Sequence, residues 1–150
     1  MTGGMTIPAV VLAPGVVGLA PFAASVIAVL WPNHVLNGQQ AQWICVAYGG
    51  LTLSFLSGVH WGVILGPASL SRPVFAIFFS ALPTLIALVA FLVALPAALA
   101  LLITSFLVLA LCDVLAIEQH LLPEWLGQLR MMFTTGAVLS LLTMLVASLT

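Results

Sequence analysis

YGGLTLSFLSGVHWGVILG, residues 48–66, decides how this chain is read. It carries no charge and lies inside a longer apolar run, the mark of a helix that crosses a bilayer. Gly50, Ser54, Gly58, Gly62 and Gly66 recur at every fourth position. On an α-helix they form one stripe nearly bare of side chains, along which a second helix backbone can approach closely. His60 and Trp61 stand on a neighbouring face.

Composition extends this reading to the whole chain. Of 150 residues, 64% are hydrophobic and 3% charged, whereas a soluble globule has about a quarter of its residues charged. The solvent must therefore be lipid. A net charge of -1 offers phosphate backbones no electrostatic footprint, which argues against nucleic-acid partners. Cys45 and Cys112 lie in apolar runs without CxxC spacing or clustered histidines, so they are read as small buried hydrophobes and no metal site is expected. The first residues lack the basic region of a secretory signal, and no cleavage is expected.

Apolar runs of about 20 residues match a hydrocarbon core of about 30 Å. Five are present, at 9–31, 42–65, 73–94, 97–117 and 130–149, so the expected fold is all-α, a single five-helix transmembrane domain. Pro14 stands near the start of the first, and Pro21 is expected to kink it. The polar segment 32–42, with His34, is expected as an extramembrane loop. Gly66 and Pro67 end the second span, followed by a polar turn with Ser69, Ser71 and Arg72. Pro73 opens the third span and Pro83 bends it, and only Leu95 and Pro96 separate it from the fourth, which makes an antiparallel hairpin. Pro123, Glu124 and Trp125 resemble the start of a short interfacial helix, with Arg130 opening the last span.

Five crossings put Arg72 and Arg130, the only basic residues, on the side of the N-terminus. By the positive-inside rule the chain is N-in and C-out. Trp31, Trp43, Trp61 and Trp125 all fall at span boundaries, as interfacial anchors should. The same topology gathers His60, Asp113, Glu118, His120, Glu124, Arg72 and Arg130 on or beneath one face.

Among these, Asp113 is the sharpest outlier, because a carboxylate within hydrocarbon costs about 3 kcal/mol on insertion scales and needs a partner. His60 at similar depth and Arg130 at the start of span five are the expected partners. His60, Asp113 and Arg130 thus form the candidate intramembrane site, read either as a tie between helices or as a proton or ion site. Glu118, His120 and Glu124 read as a solvated face, and Glu118–His120 lacks the ExxH spacing of a di-metal centre. Tyr48, Thr52, Thr104 and Ser105 are embedded hydroxyls expected to bond to the carbonyl one turn earlier. No catalytic triad, zinc-protease motif or phosphate loop is present in the sequence, so the expectation is a protein that is not an enzyme.

The stretch YGGLTLSFLSGVHWG at 48–62, SALPTL in the third span, Asp113, PEWLGQLR at 123–130 and GLAPF at 18–22 together resemble the uncharacterised membrane family that includes transmembrane protein 69, with proteobacterial and mitochondrial members. SFLSGVHWG at 54–62 is the most distinctive piece. Leu126 stands where that family tends to carry an aromatic residue. The resemblance implies a small polytopic protein of a bacterial inner or mitochondrial inner membrane, and it brings no catalytic residues.

The leading expectation is a non-enzymatic accessory, assembly or structural subunit, packed through its stripe against a larger respiratory or photosynthetic complex or against its own copies. The competing one is a small oligomeric proton- or solute-coupled transporter or channel using Asp113 and His60. A lower one makes His60 the axial ligand of a pigment. The transporter requires a water-filled cavity open to the side of the N-terminus, and the subunit a dry, packed bundle. No cofactor is predicted, although the bare helix faces suit contact with lipid, quinone or pigment.

Overall fold

The computed structural model describes residues 13, 15–31, 37–64, 74–118 and 124–149; the side chains at 60, 61, 63, 64, 74–80 and 124 lie outside that description. Among the described residues the chain is helical throughout apart from turns. The helices are α1 (Ala20–Leu30), α2 (Gly38–Ile64), α3 (Val74–Ala90), α4 (Leu95–Glu118) and α5 (Glu124–Leu149). Gly38–Val59, Leu95–Glu118 and Trp125–Leu149 are long and apolar enough to cross a membrane, so the chain is a membrane protein. Gly15–Leu30 and Ala81–Ala90 are shorter apolar helical stretches.

Local chemistry explains several boundaries among the described residues, and some differ from expectation. The first apolar stretch, Gly15–Leu30, is interrupted just before Pro21. Residues 18 and 19 form a turn, and α1 starts after it with Pro21 in its first turn, where a missing N–H costs nothing. The polar segment expected as a loop to residue 42 gives way to helix at Gly38, because Asn37 and Gln40 close a capping box. The Gln40 N–H donates to Asn37 Oδ1 at 2.7 Å, and the Asn37 N–H donates to Gln40 Oε1 at 3.2 Å. Gln42 is buried within α2, and its amide donates to the Met144 carbonyl at 3.2 Å. The expected interfacial helix around Trp125 is instead the first turns of α5 itself, so Arg130 lies inside that helix and does not open it.

Pro83 sits within α3. After Ala90 two tight turns, Phe91 N–H to Leu88 O and Leu92 N–H to Val89 O, reverse the chain into α4. Pro96 falls in the first turn of α4, and the two helices form the expected hairpin.

At the centre, α2 touches all four other helices, while α1 lies against α2 and α5. Phe22 of α1 is almost fully buried where these helices meet. Its ring stands edge-on to Tyr48, Phe106 and Phe133, at centroid distances of 5.1, 6.5 and 6.2 Å. Leu53, Leu99, Leu102, Leu141 and Met144 complete the core. Outward positions such as Leu92, Phe55, Leu51 and Val146 are large, apolar and exposed, as a lipid-facing surface requires. Trp31 is exposed at the end of α1, and Trp43 and Trp125 are half-buried.

Candidate functional site

Helical spacing assembles the polar site at the junction of α4 and α5. Asp113 and Ile117 are four residues apart on α4, and Gly127 and Arg130 three apart on α5, so each pair shares a helix face. The helices run antiparallel across the short connection at 119–123, which brings Ile117 opposite Gly127. A Cβ at Gly127 would collide with Ile117 Cδ1. The same helix pairing brings Arg130 beside Asp113, with Nε and Oδ2 at 2.9 Å. The two side chains are 4% and 2% exposed. Arg130 Nη2 donates to the Leu56 carbonyl at 3.3 Å, so one guanidinium links α5 to both α4 and α2.

Of the two partners expected for Asp113, the structure supplies Arg130. His60 belongs to α2, but its side chain and that of Trp61 lie outside the described residues, as do His34, Gly66, Arg72 and His120. No cluster of metal-ligating side chains occurs among the described residues. Cys45 is buried in the core and Cys112 is half-buried, and both are free thiols.

Along α2 the small-residue stripe divides. A Cβ at Gly50 would lie 3.5 Å from Ala87 and 3.4 Å from Phe91, which is helix packing. Ser54 bonds back to the Gly50 carbonyl at 3.0 Å. Gly58 and Gly62 are exposed, with no described atom within 4 Å of a Cβ built on either. The glycine that enters the core is Gly49, off the stripe, where a Cβ would sit 3.3 Å from Leu102.

A second feature was not legible in the motif pattern. A cavity of about 540 Å³ opens between α2, α5 and the Gly15–Gly18 segment. Its wall is apolar except for Tyr48, Thr52 and Arg130. The expected back-bonding holds for Ser105 and Thr104, which reach the carbonyls of Leu101 and Ala100 at 2.7 and 2.9 Å. It fails for the other two. The Tyr48 hydroxyl donates across to the Gly18 carbonyl at 2.7 Å. Thr52, 8% exposed, makes no hydrogen bond to a described group and faces the cavity.

The family model described as "Protein of unknown function (DUF3429)" matches residues 7–146. No curated protein and no solved structure matches the sequence.

Proposed function

Because the chain belongs to this family of unknown function, the fold brings no activity with it, and we propose that the protein is a non-enzymatic accessory, assembly or structural subunit of a larger membrane complex. The observation that carries this reading is the buried Asp113–Arg130 pair. A transport cycle through Asp113 requires its carboxylate to meet water or solute. Here it is 2% exposed and is not part of the cavity wall. The pair acts as a tie between helices, and the surrounding core is apolar side-chain packing. Exposed Gly58 and Gly62 leave a smooth stretch of α2 for a neighbouring membrane protein.

In this reading the chain crosses a bacterial inner or mitochondrial inner membrane five times, N-in and C-out, with α1 and α3 as the two shorter crossings. The same reading extends the resemblance to transmembrane protein 69 into common descent. Since Arg130 is paired inside the bundle, the orientation leans on Arg72.

Gentle extraction from native membranes, followed by mass spectrometry of what copurifies, tests the proposal. A stoichiometric membrane partner is expected. Recovery of free monomer alone, from crosslinked as well as uncrosslinked membranes, overturns it.

A further inference from the structure

We propose that the cavity between α2 and α5 binds a single chain-bearing amphiphile, its aliphatic or prenyl chain lying along the apolar wall and a carbonyl oxygen accepting from the Thr52 hydroxyl beside Arg130. This inference goes beyond the subunit reading and does not rest on it, since a subunit can pack with or without such a ligand.

Three observations converge. The first is the size and shape of the cavity. About 540 Å³ falls within the range of roughly 300–1,000 Å³ typical of small-molecule sites. The wall on α2 runs from Tyr48 to Val59, a rise of about 16 Å at 1.5 Å per residue. That is the proportion of a long narrow chain rather than of a compact solute. Phe55 and Leu51, both largely exposed, form a lip on the outer face of α2. A molecule dissolved in the bilayer can enter past them sideways.

The second is Thr52. Most embedded serines and threonines among the described residues bond to a carbonyl three or four residues earlier, as Ser25, Ser54, Thr104, Ser105, Thr135, Ser140 and Thr143 do; buried Thr134 shows no such bond either, but it does not line the cavity. Thr52 is nine-tenths buried, lacks such a bond among the described residues and lines the cavity. A hydroxyl left unbonded in an apolar setting is costly, so a ligand acceptor there is favoured.

The third is the charge balance beside it. Arg130 lines the cavity while paired with Asp113, so the wall has donor character without net charge. That chemistry selects a neutral acceptor such as a carbonyl over a carboxylate or phosphate. Ester carbonyls of acyl lipids and ring carbonyls of prenylated quinones both present one.

The test uses the full-length protein in mild detergent with two photoactivatable probes. One is a phosphatidylethanolamine with a diazirine in one acyl chain, and the other is a benzoquinone with a diazirine-bearing decyl tail. Labelled residues are mapped by mass spectrometry. Labelling at Leu129 and Phe133, above the level at lipid-facing Leu107 and Leu111 of α4, is expected for at least one probe. The probe that labels identifies the source of the carbonyl. Thr52→Val, which keeps the shape and removes the hydroxyl, should weaken probe competition by about tenfold. Leu126→Trp, which fills the cavity, should abolish labelling while the helical circular-dichroism signal and the melting midpoint are kept. Labelling of Leu129 no greater than that of Leu107, or labelling unchanged in both folded variants, means ordinary boundary lipid only and overturns the proposal. If Leu126→Trp fails to fold, Thr52→Val decides alone.

Discussion

Two places in this bundle use glycine, and they use it in opposite ways. At the α4–α5 junction a Cβ on Gly127 would collide with Ile117, whereas Gly58 and Gly62 on α2 are exposed with no described atom near a Cβ. The first glycine has no run of small residues around it, yet it lies at the junction where Asp113 meets Arg130. The second pair belongs to the conspicuous stripe, and only the Gly50 end of that stripe packs against the described part of its own bundle. A small-residue pattern therefore marks where close approach is permitted. The partner helix decides where it is used.

The sharpest way to break the junction is to remove one charge. Asp113→Ala or Arg130→Ala leaves the other group buried without its counter-ion and is expected to cost about 3–5 kcal/mol, read as a lowered unfolding midpoint in detergent. Asp113→Leu combined with Arg130→Met should recover most of that loss, because neither desolvated charge remains. A recovery absent from the double variant would show that the two residues do not act as a pair.

Gly127→Leu comes next. Forcing a side chain against Ile117 should cost about 1–3 kcal/mol, and Ile117→Ala in the same chain should relieve part of it. Denaturation of the four chains in a double-mutant cycle measures the coupling. Additive effects would mean that the contact does not set the helix spacing.

Smaller still is Tyr48→Phe, which removes the hydrogen bond to the Gly18 carbonyl and should lower stability by about 1 kcal/mol. Amide exchange at residues 18–22 should quicken as the turn before α1 loosens.

On the open part of the stripe the expected sign reverses. Gly58→Ala adds a methyl where no described atom lies within 4 Å and should raise stability by about 0.5–1 kcal/mol, since glycine in a helix costs that much relative to alanine. Gly58→Leu sharpens the comparison further. Under the subunit proposal it leaves the isolated protein's melting midpoint within about 0.5 kcal/mol yet reduces recovery of the copurifying partner.

Particular residues show how much could be read in advance. Asp113 demanded a partner on energetic grounds, and the expected partners were His60 at similar depth and Arg130 at the start of the last span; the structure pairs it with Arg130, which lies inside α5. Thr104 and Ser105 followed the local rule for embedded hydroxyls. Asn37 and Gln40 carried a capping signature, but in a run of polar residues after Pro32 they looked like loop, and the helix start moved accordingly. Gly127 and Thr52 could not be singled out, because their roles depend on Ile117 and on a cavity contributed by other helices.

What the sequence determined by itself is the helical, membrane-embedded character of the chain. Backbone groups in lipid must be satisfied within the segment, and the length and apolarity of its runs leave helices as the solution. The helix ends also follow from local chemistry, at Pro21, Asn37 and Pro96. Only the tertiary structure decided which faces meet. In lipid the outside of a helix is nearly as apolar as the inside, so hydrophobic pattern barely separates them, and packing shape and a few buried polar bonds make the choice. That is why Gly127 lies against Ile117, Tyr48 reaches Gly18, and Thr52 faces a cavity.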